Sequence, residues 1–377
     1  MAEPLVNQFG PEIPRKLADM LAAVVPGFDA EAFVADALLG LGELSLMARG
    51  QHLAEVMRRH LPVDDAQAFV CVGLAIEQPV DLGEGSLASF LYLPYTCWVA
   101  TYGLNQFDAA MRLQHRLTQL FTAEFSIRAF LAHAPEATLA RLNDWATDPN
   151  EHVRRLVSEG TRPRLPWGRR LRAFQHDPAP VLALLDKLKD DPSAYVRRSV
   201  ANNLNDIGKD HPHLLVQTAR RWLSEPAGAR TPQQVQNLRN LVSHALRSLV
   251  KAGYGEALAV LGYGTQAQVS IDQASCAPAR AVVGVTVTIG CRVNNGLPVP
   301  QRLLCDLVVH YCKANGTTRP KVFKLKQVAL GAGATVVLSK TLSLQQMTTR
   351  THHPGEHRVE LLVNGAVYPL GSFVLLT

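Results

Sequence analysis

Ten residues of this chain are written twice. Asp148-Pro149-Asn150-Glu151-His152-Val153-Arg154-Arg155-Leu156-Val157 aligns with Asp191-Pro192-Ser193-Ala194-Tyr195-Val196-Arg197-Arg198-Ser199-Val200. A weaker third copy places Arg239-Asn240-Leu241-Val242-Ser243-His244-Ala245-Leu246 under Arg197–Leu204. A period of about 43 residues with helical patterning on each side restricts the fold to stacked helical repeats, which bury a continuous core and leave a long curved surface. The alignment also isolates an exception. Where the second and third copies have Asn202 and His244, the first has Glu159, a carboxylate among arginines.

The helical pattern runs from about residue 11 to 262. Apolar residues at i, i+3, i+4 and i+7 predict helices over 16–25, 30–48, 50–60, 65–77 and within 87–133, punctuated by Pro26-Gly27, Gly50 and Leu61-Pro62. Each Asp-Pro pair reads as a helix start. Near residue 264 the period changes from 3.6 to two. Val285, Val287, Ile289, Cys291 and Val293 alternate with polar or small residues, as do Leu303, Cys305, Leu307, Val309 and Tyr311. Asn315-Gly316 and Asn364-Gly365 are hairpin turn dipeptides. About seven short strands in this segment predict an immunoglobulin-like β-sandwich. The expected architecture is an all-α HEAT-like repeat solenoid over 1–263, then an Ig-like β-sandwich over 264–377.

Hydrophobic residues make up 47% of the chain, enough for packed cores and against disorder. The net charge of +6 is concentrated: Arg154, Arg155, Arg162, Arg164, Arg169, Arg170 and Arg172 lie close together with only Glu151 and Glu159 among them. Such clustering fits an anionic partner. The start, Met1-Ala2-Glu3-Pro4-Leu5-Val6-Asn7-Gln8, has no basic region followed by an apolar one, so a cytoplasmic location is expected. No apolar run is long enough to predict a membrane span. The six cysteines show no zinc spacing, and neither metal nor organic cofactor is expected.

On the predicted helix from about Asn150 to Gly160, Val153, Leu156, Val157 and Gly160 share the buried face, with Arg155 and Glu159 off it. The equivalent stripes are Arg198, Asn202, Asn205 and Asp206 in copy two, and Asn240, His244 and Arg247 in copy three. Stacking would align them into a polar ridge. Beyond the first helix, Thr161-Arg162-Pro163-Arg164-Leu165-Pro166-Trp167 is stiffened by two prolines. A basic ridge with an adjacent aromatic suits a DNA backbone, but a carboxylate there repels phosphate. Glu159 makes sense if the bound nucleic acid carries positive charge, as an alkylated base does, or develops it, as the oxocarbenium-like sugar does when that base departs. Trp167 would add cation–π attraction of about 0.5–2 kcal/mol. Plainer readings stand beside this one: Glu159 with Arg155 or Arg162 as a surface ion pair, Trp167 as a plug between repeats, the Val-Arg-Arg arginines bound to neighbouring turns, Asn202, Asn203 and Asn205 as caps, Glu124 paired with Arg128, and His244 as structural.

Three segments carry a resemblance. Thr122–Arg128, Val153–Trp167 and Val196–Pro212 together resemble the AlkC branch of the HEAT-like repeat DNA glycosylases, and the likeness extends over most of residues 5–262. The resemblance implies a glycosylase of base excision repair that removes cationic alkylbases, N3-methyladenine and N3-methylcytosine, from double-stranded DNA without conventional base flipping, and the absence of an obvious nucleophilic lysine from the motif region predicts that it is monofunctional. It implies catalytic or lesion-contacting roles for Glu159, Glu124, Trp167 and Asp206. Arg155, Arg162, Arg164, Arg198, Asn202, Asn205, His244 and Arg247 are then the expected DNA-binding set, in a chain acting as a monomer. Two other readings remain open on the sequence: a DNA-binding repeat protein without catalysis, which needs the arginines but not Glu159, and a protein scaffold, which needs neither. The polar and basic loops of the sandwich, with Lys313, Arg319, Lys321 and the Thr348–His353 stretch, would help grip a duplex or merely cap the last repeat.

Overall fold

Helices carry the chain from Glu12 to Val260, and strands from Val269 to Leu375. The computed structural model describes residues 5–82, 88–226, 228, 230–264, 267–347 and 351–376. Residues 1–4 of the leader reading, 265–266 at the predicted switch and 348–350 of the basic stretch lie outside the described residues.

The chain forms two compact units. The first comprises residues 1–210 and 229–245, and the second residues 211–228 and 246–377. The change from helix to strand therefore does not coincide with the division into units. The reason lies on the outer side of the sandwich, where Leu258, Tyr263 and Leu304 form an apolar cluster with Val250 and Leu261 against them. The late helices Arg247–Lys251 and Gly255–Val260 thus share a core with a strand.

In the first unit, the predicted helix over 30–48 is two elements. Helix Ala30–Leu38 ends before Gly40, whose φ of +72° turns the chain. Gly50, expected as a break, lies inside helix Leu46–His60. A Cβ there would sit 2.7 Å from the Leu93 side chain, so the glycine serves close helix packing. The 87–133 segment likewise resolves into helices Leu93–Tyr102, Phe107–Leu120 and Ile127–His133.

The repeat is plain in helices Glu151–Gly160, Ala194–Ile207 and Pro232–Ala245, the second packing against the first and the third. The Asp-Pro pairs act one step before the helices. Asp148 and Asp191 each accept from the backbone N–H two residues on, at 2.8 Å, while Asn150 and Ser193 are the caps. A cap of this kind contributes about 1 kcal/mol. The first arginine of each Val-Arg-Arg holds its own turn: Arg154 donates to the Asp148 and Pro149 carbonyls, and Arg197 to those of Asp191 and Pro192. Arg154 also forks onto Asp191 of the next repeat at 2.6 and 3.0 Å. Buried amides complete the stitching, with Asn203 donating to the Ser158 carbonyl and Asn205 to that of Ala245, both at 2.7 Å.

In the second unit, β1 (Val269–Ala277), β3 (Thr286–Asn295) and β6 (Thr335–Ser343) form one sheet in the order β1-β3-β6. β2 (Arg280–Ala281), β4 (Gln301–Cys312), β5 (Thr318–Leu330), β7 (Gly355–Val363) and β8 (Ala366–Leu375) form the other in the order β2-β8-β7-β4-β5. The alternating residues read from the sequence face inward, with Val287, Ile289, Cys291, Val293, Leu303, Cys305, Leu307, Val309 and Tyr311 in the core, except Val285, which precedes β3 and is exposed. Both hairpin dipeptides sit at turns. Asn364 and Gly365 have φ of +48° and +83° between paired Val363 and Ala366, the primed geometry that matches strand twist.

Candidate active site

Glu159 and Asp206 occupy the same place in two helices, the residue before the last of Glu151–Gly160 and of Ala194–Ile207. A carboxylate there faces the negative end of the helix dipole and is unfavourable by itself. Both are also buried, Glu159 at 6% exposure and Asp206 at 1%, and buried charge requires pairing. The chain supplies a cation three residues on in each case. Arg162 donates from Nη1 to Glu159 Oε1 at 2.6 Å, and Lys209 from Nζ to Asp206 Oδ1 at 2.8 Å. Arg162 then crosses to the second carboxylate, donating from Nε to Asp206 Oδ2 at 2.9 Å. Burial opposes the charge on Arg162, but the carboxylates of Glu159 and Asp206 outweigh it and raise its pKa above the ordinary value.

The other end of this network is Glu124, in the turn before helix Ile127–His133. Its Oε2 meets Nη1 of Arg155 at 2.5 Å and accepts from the Thr122 hydroxyl at 3.1 Å. Arg155 Nη2 lies 3.6 Å from Glu159 Oε1, and its guanidinium stands 5.2 Å over the Tyr195 ring. Charges thus alternate along Glu124, Arg155, Glu159, Arg162, Asp206 and Lys209. The third contact to the Glu159 carboxylate comes from the next repeat, where the buried Ser199 hydroxyl donates to Oε2 at 2.6 Å. The sequence-level reading of Glu159 as a surface ion-pair residue is corrected by this geometry: helix Ala194–Ile207 packs over it.

Beneath the network lies Arg128, which does not pair with Glu124 as the i,i+4 spacing allowed. Its Nη1 donates to the carbonyls of Gly160 and Arg162 at 2.9 and 2.7 Å, and its Nε to that of Arg169 at 2.8 Å. Burial, and Arg162 beside it, lower its pKa to about 10 against the pull of Glu124, Asp206 and Glu159. Arg128 therefore ties both ends of the loop that carries Trp167 to the helix that carries Glu159. Trp167 is 68% exposed and adopts φ of +62°, a left-handed backbone that costs a non-glycine residue about 1–3 kcal/mol. It is no plug between repeats; the loop presents it to solvent.

The remaining candidates divide. Arg198, Tyr195, Asn240 and His244 line a cavity of about 500 Å³ between helices Ala194–Ile207 and Pro232–Ala245. His244 Nε2 lies 3.1 Å from Asn202 Oδ1, so these two repeat-equivalents of Glu159 are joined to each other. Asn205 is not on the expected ridge but inside, bonded to the third helix. Arg164 forks onto Asp210 at 2.5 and 3.0 Å. Arg247 opens helix Arg247–Lys251, in the second unit. Among the described residues no cluster suits a metal ion, and no helix is long and apolar enough to cross a membrane. Thr122, Tyr195 and Ser199 were missed, though the repeat alignment held a signal for two of them. Ser199 is the polar replacement of the core residue Leu156, and Tyr195 aligns with His152, whose ring it meets at 5.7 Å.

Comparison with known proteins shows similarity along the whole chain. Residues 270–377 match the family described as "Uncharacterised protein YhaZ, C-terminal Ig-like domain". The chain is 33% identical over 270 residues to YhaZ of Bacillus subtilis (strain 168), covering 72% of each chain. It is 38% identical to the Pseudomonas fluorescens alkylpurine DNA glycosylase AlkC, solved bound to DNA containing an abasic site analog, with a TM-score of 0.88 over 100% of both chains. Both helical and β parts are included in that full-length match, and the chain belongs to the AlkC branch of the HEAT-like repeat proteins, the family that also contains YhaZ.

Proposed function

We propose that this protein is a monofunctional DNA glycosylase that hydrolyses the N-glycosidic bond of cationic alkylated bases in double-stranded DNA, N3-methyladenine and N3-methylcytosine foremost, and leaves an abasic site. The observation that carries the reading is the buried carboxylate of Glu159, held by Arg162 and Ser199 at the root of a loop that exposes Trp167. Its family relative AlkC, bound to DNA containing an abasic site analog, supports the class of substrate.

The chemistry follows from charge. A cationic base leaves as a neutral molecule, so the carbon–nitrogen bond breaks without a general acid. Positive charge moves onto the sugar, where fixed carboxylates stabilise it. Both oxygens of Glu159 already accept strong hydrogen bonds, which suits an electrostatic role better than proton transfer. Glu124 engages Arg155 and Thr122 through Oε2, leaving Oε1 to orient the water whose oxygen bonds to the sugar carbon and to take up the proton that water loses, which then passes to solvent. Trp167 contacts the lesion or its sugar, and Asp206 fixes Arg162. The exposed arginines hold the backbone, with the chain acting as a monomer in the cytosol.

The test is release of free base. Duplex DNA treated with a methylating agent is incubated with the protein, and released bases are identified by mass spectrometry. N3-methyladenine and N3-methylcytosine are expected in the supernatant. Uracil-containing duplex should release none, because uracil departs as an anion and gains nothing from carboxylates. Efficient uracil release, or no release of methylated bases, would remove the mechanism.

A further inference from the structure

Arg128 stands where local physics opposes it. It lies in the first turn of helix Ile127–His133, where the helix dipole disfavours a cation. It is 3% exposed, and among the described residues none of its nitrogens pairs with a carboxylate. All three donate to main-chain carbonyls instead: Nη1 to Gly160 at 2.9 Å and Arg162 at 2.7 Å, Nε to Arg169 at 2.8 Å, and Nη2 to Arg169 as well. Burying a cation on these terms is costly, so space filling does not account for it. What a guanidinium adds is geometry, because its donors are fixed in one rigid fork.

The three carbonyls lie on both sides of Trp167 in the chain. Gly160 and Arg162 precede it and Arg169 follows it, so one side chain grips both limbs of the loop. Other restraints are weaker or one-sided. The fork of Arg164 onto Asp210 holds the incoming limb alone, and the main-chain bond across the base, from the Leu171 N–H to the Pro163 carbonyl, is 3.3 Å long. Trp167 needs a firm grip, since its φ of +62° persists only where the surroundings over-determine it. The indole contributes nothing to that. It is exposed and has no hydrogen-bond or ring partner among the described residues, so its position follows from the backbone.

We infer that Arg128 is a positioning residue for Trp167: it locks the two limbs of the loop, so that the indole already stands in its working position before DNA arrives. The bearing on excision rests on the glycosylase reading; the bearing on Trp167 does not. Lysine cannot replace arginine here, because one ammonium cannot hold carbonyls of both limbs in a fixed geometry. Without the grip, Trp167 relaxes from its left-handed backbone and the loop must be ordered anew at each binding event.

The test reads Trp167 directly. Of the four tryptophans, Trp98, Trp145 and Trp222 are buried and Trp167 alone is exposed. Protein labelled with 5-fluorotryptophan should therefore give four fluorine-19 resonances, with that of Trp167 identified by its loss in Trp167→Phe. In the unaltered protein without DNA, its line should be as broad as those of the buried rings. In Arg128→Lys, which keeps the charge, and Arg128→Met, which keeps the length, it should narrow while the other three keep their width. Single-turnover release of N3-methyladenine should fall in both variants on the order of 10²-fold, with duplex affinity unchanged. Trp167→Ala should lose as much, and adding Arg128→Met to it should change the rate by no more than about twofold. The inference is overturned if the Trp167 line keeps its width in a folded variant, or if the losses multiply in the double variant. Should Arg128→Met unfold, Arg128→Lys decides; if both unfold, Arg128 serves stability only and the inference falls. A mobile Trp167 in variants of a protein that releases no methylated base would keep the positioning role and sink the glycosylase reading alone.

Discussion

At the scale of single residues, the site depends on carboxylates paired with cations where helix ends and burial both disfavour a negative charge. Glu159 is stabilised by Arg162 and Ser199 and is expected to act by its charge. Glu159→Gln preserves the shape and one acceptor but removes that charge. Single-turnover release of N3-methyladenine should fall by about 10²–10³, the usual effect of deleting one electrostatic partner of a transition state. Affinity for duplex DNA should hold or rise, since a phosphate-repelling group is gone. Excision at the unaltered rate, in a variant whose circular dichroism is native, would exclude Glu159 from catalysis. The repeat alignment made Glu159 visible as an exception and marked Ser199 as a polar residue at a core position, but not that the two meet.

At the scale of elements, helix Glu151–Gly160 and helix Ile127–His133 approach closely at one point. A Cβ on Gly160 would stand 2.5 Å from the Ile127 side chain, while the Gly160 carbonyl accepts from Arg128. Alanine is the better helix former by about 1 kcal/mol, but overpacking a filled contact costs about 1–3 kcal/mol, and the contact should win here. Gly160→Ala is therefore expected to lower the melting temperature and, by shifting the end of the helix, to slow excision through Glu159 and the Trp167 loop. A variant that melts at or above the parent temperature would show that the two helices separate easily. Gly50 is the parallel case, and there the glycine reads from the sequence as a break: sequence periodicity records which face is buried, not how near the neighbouring helix comes.

At the scale of the whole molecule, the basic excess is not all available to a partner. Of the seven arginines between 154 and 172, Arg154, Arg155, Arg162 and Arg164 are engaged by carboxylates of the chain itself. Arg169, Arg170 and Arg172 stand exposed, and none is paired with a carboxylate among the described residues. Each phosphate neutralised contributes about −0.9 to the slope of log affinity against log salt concentration. Replacing Arg169, Arg170 and Arg172 together by alanine should then make that slope shallower by about 2.7 for duplex DNA, whereas Arg164→Ala should change it little. An unchanged slope in the triple variant would move the backbone contacts elsewhere. The sequence by itself determined what is periodic and local: the repeat, the change from a helical to an alternating pattern, the hairpin turns at Asn315-Gly316 and Asn364-Gly365, and the identity of the unusual carboxylate. Only the tertiary structure decided which charges meet, because partners such as Ser199 with Glu159, Asp206 with Arg162 and Glu124 with Arg155 lie some 30–45 residues apart and on different elements of the fold. Burial was likewise beyond the sequence. A residue's place on its own helix is fixed by the 3.6-residue period, but whether that face meets solvent or the next repeat depends on stacking, and it turned Glu159, Asn205 and Asp206 inward while leaving Trp167 outside.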